Sequence, residues 1–216
     1  MGQFEARFID DLGNEYRAVK CLISTQTSAT SGQYIDLNYA LQEGDIYEVW
    51  IDFEFKTSST ARSLFGSYNY TNNQRSGYLY KGASKIEFAV GGNALNSNIS
   101  TSSATNKRIQ WHLLADDTNK VRTIYDYGDN SVATSSYTGN ISSPDQYLFG
   151  VCYVQSSTIS AKELVDVKIY RFKAKVNDEL IRNMIPVLDS NDVPGLYDLV
   201  EKKFYTNQGT GNFTYE

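Results

Sequence analysis

Three carboxylates alternate along one apolar segment of the chain. Residues 47–55 read Tyr-Glu-Val-Trp-Ile-Asp-Phe-Glu-Phe, which places Glu48, Asp52 and Glu54 at alternating positions. On a β-strand such positions share one face, and neighbours at i and i+2 can approach the separation of about 5 to 5.5 Å that the two carboxyls of a retaining glycosidase require. The segment therefore supplies the residue types for glycoside hydrolysis by Asp52 and Glu54.

A nucleophile activated by histidine is the second chemistry to weigh. The chain has one histidine, His112, within a run of apolar residues. Period-two spacing groups Trp111 with Ile109 and Leu113 and turns His112 to the opposite side with Gln110. We expect an ordinary surface or interstrand histidine rather than a catalytic base. One histidine and two distant cysteines also supply no ligand cluster for zinc.

Sugar binding needs flat aromatic rings for the C–H face of a sugar, and amides or charged groups for its hydroxyls. Residues 68–80 supply both types in one hairpin-like stretch, and Trp50, Tyr125 and Tyr127 add to it if they face the same side. The alternative is that Tyr is simply a strand-forming residue whose polar tip tolerates half-burial, and similar loops also recognise proteins. The candidate ligand-binding residues are Trp50, Tyr68, Tyr70, Asn72, Arg75, Tyr78, Tyr80 and Tyr125.

Calcium is the one metal that the loops could hold, since oxygen ligands are plentiful there. The candidate clusters are Asp116-Asp117-Asn119, Asp126-Asp129-Asn130 and Asp189-Asn191-Asp192. None matches an EF-hand loop, and Asp and Asn are common in turns because their side chains cap the local backbone. We predict no cofactor and keep calcium as an open alternative.

The elements that would position these residues are short strands. In residues 47–55, Val49, Ile51, Phe53 and Phe55 form the apolar face opposite the carboxylates. Similar short runs follow to the end of the chain, separated by stretches rich in Gly, Asn, Asp and Ser, which is typical of a sandwich or barrel. Only residues 177–184 have helical character. Residues 1–16 contain the turn signal Asp11-Leu12-Gly13-Asn14 and are predicted to form a linker or short strand pair, with the main domain over 17–216.

Composition supports one soluble domain. The 216 residues include 17 Tyr and 10 Phe against 3 Pro and 2 Met, a mixture that favours strands over helices. The net charge of −5 argues against a nucleic-acid partner because no basic excess is present to displace counterions. No run of roughly 20 apolar residues predicts a membrane span, and residues 1–10 lack the pattern of a signal peptide.

Two cysteines, Cys21 and Cys152, lie in apolar runs far apart in the sequence. The simplest interpretation is two buried free thiols, because a free cysteine behaves as a small hydrophobic residue. A disulfide between an early and a late strand stays open, since spacing alone does not fix the geometry.

Taken in order, these segments resemble the concanavalin A-like lectin/glucanase superfamily, in particular the laminin-G-like jelly rolls of phage tail and fibre proteins and bacterial surface proteins. The opening strand, Gly-Gln-Tyr-Ile-Asp-Leu at 32–37, carries part of the likeness, and the closing series over 167–213 carries it most clearly. The resemblance covers roughly 17–216 and rests on residues 32–37, 48–55, 64–66, 109–115, 121–126, 147–150, 167–170, 178–182, 185–187, 195–198, 203–205 and 207–213.

The resemblance implies an all-β, two-sheet antiparallel jelly-roll sandwich. It also implies a non-catalytic adhesion or receptor-binding module, carbohydrate-binding or not, in a virion or at a cell surface. Its partners would be a glycan or cell-surface receptor, other virion or surface-protein subunits, and further copies of itself. The glucanase pattern Glu-x-Asp-x-x-Glu, aligned on Asp52, meets Trp50 and Phe55 at the two glutamate positions, so we predict no enzyme. A purely structural virion role and an unusual glycosidase using Asp52 and Glu54 remain the alternatives.

Overall fold

The computed structural model describes residues 6–26, 28, 30–57, 62–141 and 144–216. These residues form twenty strands and no helix. In chain order they are β1 (Arg7–Ile9), β2 (Glu15–Ala18), β3 (Leu22–Ile23), β4 (Ile35–Asp36), β5 (Ile46–Phe55), β6 (Arg62–Asn69), β7 (Gln74–Lys81), β8 (Lys85–Gly91), β9 (Asn93–Ser100), β10 (Arg108–Asp116), β11 (Val121–Asp126), β12 (Ser131–Ser136), β13 (Tyr147–Leu148), β14 (Val151–Gln155), β15 (Thr158–Lys162), β16 (Val167–Val176), β17 (Glu179–Leu188), β18 (Pro194–Asp198), β19 (Lys203–Tyr205) and β20 (Thr214–Tyr215).

The strands form two sheets. The larger has the order β1-β2-β17-β16-β5-β10-β11-β12, with β18 beside β17, β19 beside β18, β3 beside β16 and β20 beside β3. The smaller has the order β15-β14-β6-β7-β8-β9, with β13 joining β6 to β4. Among the described strands only β14 and β6 pair in parallel. The prediction of an all-β sandwich of two largely antiparallel sheets is confirmed.

The core lies between the two sheets. On β5 the predicted apolar face is buried, with Val49, Ile51 and Phe53 at 0 to 1% exposure. Phe65 of the smaller sheet meets Phe172 of the larger edge to face, with ring centroids 5.8 Å apart. Each such side chain contributes about 1.5 to 3 kcal/mol when fully buried. The alternate residues of β5 therefore point away from the core, onto the outer face of the larger sheet.

The predicted helical character of residues 177–184 is wrong. Asn177 and Asp178 both adopt positive φ, 50° and 65°, at the tip of a hairpin that joins β16 to β17. Two consecutive positive φ values are the signature of the tight turn that matches strand twist, and Asn and Asp tolerate them. Residues from Glu179 onward then pair with β16 and β18, and this tertiary pairing overrides the local propensity.

The first described residues form a strand pair. β1 and β2 pair antiparallel, and β2 also pairs with β17 through Ala18 and Val187. The ring of Phe8 lies 5.4 Å from that of Tyr16 and 4.9 Å from that of Tyr197. The predicted boundary between residues 16 and 17 thus falls inside β2, and the hairpin packs on the outer side of the larger sheet.

Both cysteines are free and buried. Burial raises the pKa of Cys152 to about 12 and also raises that of Cys21. The two thiols therefore act as small core residues, as the simplest interpretation of the sequence predicts. Within the described ranges, no helix has the length and apolar character to cross a membrane.

Candidate functional site

The candidate binding residues lie on two different surfaces. We name the outer face of β16, β5, β10 and β11 the β5 face, and the outer face of β6, β7 and β14 the tyrosine face. Trp50 and Tyr125 are on the β5 face, opposite the core from the other candidates. The condition that Trp50 and Tyr125 face the same side as residues 68–80 is not met, because their strands belong to the other sheet.

The β5 face carries a row of stacked side chains, one from each of its four strands. Lys173, Trp50, His112 and Tyr125 stand directly opposite one another in the strand register. The Trp50 ring stacks on His112 at 4.3 Å and 10°, and His112 on Tyr125 at 5.0 Å and 24°. Lys173 Nζ lies 4.2 Å from the Trp50 ring centroid on the β16 side. Both faces of the indole are covered, so a ligand meets its edge.

The histidine in this row joins two carboxylates. His112 Nε2 lies 2.9 Å from Glu48 Oε2, and Nδ1 lies 3.0 Å from Asp129 Oδ1. Asp129 belongs to the turn after β11, so this contact anchors the turn to the sheet. The predicted orientation of His112 with Gln110, away from the core, is confirmed by its partial exposure beside buried Trp111. Through these contacts His112 connects β5, β10 and the turn after β11.

Asp52 is fully engaged by its neighbours on β10. Arg108 donates to it with Nε at 2.7 Å from Oδ1 and with Nη2 to Oδ2, and Gln110 Nε2 donates to Oδ2 at 2.8 Å. The Arg108 guanidinium also lies 4.0 Å above the Tyr170 ring. A bidentate pair of this kind is among the strongest and most directional contacts that a carboxylate makes. Asp52 therefore fixes the sheet face rather than standing free as an acid or base.

Glu54 is engaged in the same way. Tyr170 OH donates to Glu54 Oε2 at 3.1 Å, and Lys168 Nζ lies 3.6 Å from Oε1. Burial, followed by the hydrogen bond and charge of Glu54, raises the pKa of Tyr170 to about 12, so this phenol stays a donor. The two carboxylates of the glycosidase alternative thus each hold a cation and a neutral donor.

A pocket of about 280 Å³ opens beside this row. It is bounded by the turn after β11 on one side and by β16 on the other. Tyr127, at the tip of that turn, is 57% exposed and makes no ring contact with the described residues. Asp126 holds the turn by accepting from the backbone N–H of Gly128 and Asn130, and the latter bond leads the lowering of its pKa. The pocket is lined by Trp50, Ile51, Asp52, Tyr127, Asp129, Arg171 and Lys173.

The tyrosine face brings the remaining candidates together. Tyr80 stacks on Tyr78 at 4.6 Å and 12°, and Tyr78 on Tyr68 at 6.1 Å and 13°. The guanidinium of Arg75 covers the Tyr68 ring at 4.5 Å. Tyr70, at the end of the row, is 51% exposed. The rings of this face are mostly covered by one another, which is the arrangement expected of half-buried strand tyrosines.

The polar tips of this face are also occupied. Tyr78 OH donates to Glu163, and Tyr80 OH donates to Glu87. Burial, together with these carboxylates, raises the pKa of both phenols. Asn72 sits in the β6–β7 turn, where its backbone N–H donates to Asn69 Oδ1 at 3.2 Å. Among the candidates on this face, Tyr70 and Asn72 are exposed, and the others are partly or fully buried.

One aspartate of each calcium candidate cluster, Asp116, Asp126 or Asp189, caps a turn. Asp116 accepts from the backbone and side chain of Asn119, and Asp189 accepts from the backbone of Asn191 and Val193. Across the ranges that the structure describes, no group of three or more His, Cys, Asp and Glu is arranged to hold a metal ion.

Sequence reasoning did not select Arg171 or Lys173 as binding residues. It named Asp129 only as a calcium candidate and gave Tyr127 only a supporting place. The alternation of Arg171 and Lys173 along one strand is a visible signal. Which strand lies beside Trp50, however, depends on the sheet order, which no local pattern encodes.

The fold has clear relatives among solved structures. A "putative carbohydrate binding protein" from Bacteroides ovatus ATCC 8483 matches with a TM-score of 0.61 and 10% identity, over 92% of this chain and 60% of that one. The full extracellular region of zebrafish Gpr126/Adgrg6 matches with a TM-score of 0.55 and 11% identity, over 91% of this chain and 26% of that one. The native heptameric SAP-like pentraxin from Limulus polyphemus matches with a TM-score of 0.51 and 10% identity, over 72% and 76%.

The chain spans about three fifths of the Bacteroides protein and about a quarter of the zebrafish region. No protein-family model matches the chain, and no curated protein matches it. At 10 to 11% identity these likenesses concern the fold alone. The chain therefore has the fold of a two-sheet jelly-roll β-sandwich.

Proposed function

We propose that the chain is a non-catalytic adhesion or receptor-binding module that binds carbohydrate in the pocket of the β5 face. The observation that carries the proposal is the exposed ring of Tyr127 beside a pocket lined with hydrogen-bonding groups. Ligand sites commonly combine an apolar surface with a few convergent polar groups. Here Tyr127 offers a free aromatic surface for the C–H face of a sugar, and Asp129 offers acceptors for its hydroxyls.

The state of the carboxylates supports binding rather than hydrolysis. A glycosidase needs one carboxylic acid to protonate the leaving oxygen and a second carboxylate to act as nucleophile or base. Asp52 is bonded to Arg108 and Gln110, and Glu54 is bonded to Tyr170. We therefore expect wild-type protein to release no sugar product from the glycans that it binds.

The setting that we propose is the outside of a cell or a virion, with a glycan or glycosylated receptor as partner. Structures with the same fold include a protein named for carbohydrate binding and the extracellular region of a zebrafish protein. Attachment to further virion or surface-protein subunits, or to other copies of this chain, belongs to the same proposal.

The test is a glycan-array screen of the purified protein, with and without calcium, followed by calorimetry on the strongest binders. Tyr127→Ala should weaken binding about tenfold, because aromatic contacts of this type are worth roughly 1 kcal/mol or more. Tyr70→Ala is the matched control, since it removes an equally exposed tyrosine from the opposite face of the sandwich.

Two results would contradict the proposal. If Tyr70→Ala abolishes binding while Tyr127→Ala has no effect, the ligand lies on the tyrosine face. If no glycan binds and the protein assembles into stable oligomers, a structural role replaces the binding role.

A further inference from the structure

Strand β16 carries three cations on the β5 face. Arg171, Lys173 and Lys175 alternate along it and stand opposite Asp52, Trp50 and Glu48 of β5. Cross-strand neighbours of opposite charge normally pair. The register therefore offers Arg171 and Lys175 a carboxylate each.

Those ion pairs are not formed, because residues of β10, on the other side of β5, bind both carboxylates. Asp52 turns to Arg108, and Glu48 turns to His112. Across the described ranges, neither Lys173 nor Lys175 has an ion-pair partner.

The contacts that remain for these cations are weak or neutral. Arg171 donates to the amide oxygen of Asn183 at 3.1 Å. Lys173 and Lys175 lie over the Trp50 ring at 4.2 and 5.7 Å. Among the described residues no ion pair balances the positive charge of these three side chains, in a chain whose net charge is −5.

A β-bulge places these cations on the outside. The register between β16 and β5 shifts between Ile169 and Arg171, which leaves Tyr170 as the extra residue. Before the bulge Ile169 points into the core, and after it Phe172 and Ala174 do. The shift in parity is what carries Arg171, Lys173 and Lys175 outward. Bulges are frequent next to functional sites because they re-aim side chains.

Positive and negative side chains therefore lie on opposite sides of the pocket. Arg171 and Lys173 line its β16 side, and Asp129 lines the opposite side, where it is bonded to His112. Asp52, between them, is already neutralised by Arg108. A ligand that fits this arrangement presents an anionic group toward β16 and hydroxyls toward Asp129 and Tyr127.

We propose that the ligand of the β5 face is an acidic glycan, whose carboxylate or sulfate ester is bound by Lys173 and Arg171. This inference rests on the proposed function, since it names the chemical class of ligand for the same pocket. A uronate carboxylate and a sulfate ester share the required chemistry, and the bidentate donors of Arg171 suit both.

The test compares matched ligands by calorimetry. The panel pairs uronate oligosaccharides with their carboxyl-reduced neutral counterparts, and sulfated galactan oligosaccharides with their desulfated counterparts. The acidic member of at least one pair should bind tenfold or more tightly than its neutral counterpart, because a charge-assisted hydrogen bond is worth that much. The preference should shrink as NaCl rises from 50 to 500 mM, since exposed charges are then screened.

Arg171→Gln with Lys173→Gln should remove the preference for the acidic member, so that the two members of each pair bind with similar affinity. The control is Lys162→Gln, because Lys162 also lies over an aromatic ring, that of Tyr153, but on the tyrosine face. Circular dichroism spectra and melting temperatures verify that both variants are folded.

The outcomes separate the two proposals. Equal binding of acidic and neutral members, still weakened by Tyr127→Ala, overturns the acidic ligand and leaves the glycan-binding function standing. A preference for acidic members that survives the double variant places the anionic group elsewhere and overturns the inference. No binding by any member overturns the acidic ligand, and if the glycan array also finds no binder the glycan-binding function is overturned as well.

Discussion

The stacked row on the β5 face shows how a side chain's use depends on its neighbours. A tryptophan on an outward strand face, as in Trp50, suggests a sugar platform. In the structure His112 and Lys173 cover its two faces, so Trp50 forms a wall of the pocket. Tyr127 lies in a turn and has no ring neighbour among the described residues, so its ring surface is free instead. The residue types of the site could be read from the sequence, whereas which rings are covered depends on contacts across strands.

The charge of Asp117 is coupled to the stability of the fold. Its buried carboxylate accepts from Lys120 Nζ at 2.8 Å, from the Gly44 N–H at 2.8 Å and from Tyr137 OH at 2.7 Å. Burial alone would raise its pKa, but these hydrogen bonds together hold the pKa below the usual 3.8. The ionised form is therefore the one that the fold stabilises.

We expect Asp117→Asn to lower the free energy of unfolding at pH 7 by about 2 to 3 kcal/mol, the value of hydrogen bonds to a charged group. Because the pKa of Asp117 is lower in the folded state, its contribution is complete above about pH 4 and is lost as the pH falls through the folded-state pKa. The difference between wild type and variant should thus shrink from pH 7 to pH 3 in urea titrations. Glu43→Gln, at an exposed neighbouring position, is the control, and a difference independent of pH would contradict this role.

At the scale of elements, strand faces were predictable and strand partners were not. The alternation in residues 47–55 identified the core face of β5 correctly, because burial of one face imposes a period of two. The bulge in β16 interrupts the same alternation, and its effect on Arg171 and Lys173 becomes visible only with the register. The helical character predicted for residues 177–184 was wrong for a related reason. Glu, Leu, Ile and Arg have good helix propensity, but here they pair with the strands on both sides of β17.

Substitutions of Asp178, at the hairpin tip, test whether this segment is a turn or a helix. Its φ of 65° disfavours a β-branched residue, so Asp178→Val should cost about 1 to 2 kcal/mol, whereas Asp178→Gly should be neutral or stabilise by up to about 1 kcal/mol. In a helix the order would be reversed, because glycine is the poorer residue there. Chemical denaturation of both variants decides, with Glu179→Val on the adjoining strand as a control that should change little.

At the scale of the whole molecule, the sandwich class followed from many short, turn-punctuated segments, but the pairing of distant strands did not. The tyrosine-rich stretch and Trp50 could be placed on one surface only by assuming that β5 and β7 face the same way. They belong to different sheets, so two separate surfaces result. The domain boundary was equally difficult to predict from the sequence, because the β1–β2 hairpin pairs with β17, about 170 residues later.

Whether the hairpin is part of the folded unit can be tested at Phe8. Its half-buried ring contacts Tyr16 and Tyr197, so Phe8→Ala should remove about 2 kcal/mol and lower the Tm by about 4 to 8 °C in a chain of this size. Ile9 is the matched control, because it is 69% exposed on the other side of β1 and Ile9→Ala should leave the Tm nearly unchanged. Equal, negligible shifts for both variants would mean that residues 1–16 act as a linker. A lower Tm for Phe8→Ala alone would show that the hairpin belongs to the sandwich. Removing a ring changes the Tm of the whole molecule only if that ring is packed in the part that unfolds cooperatively.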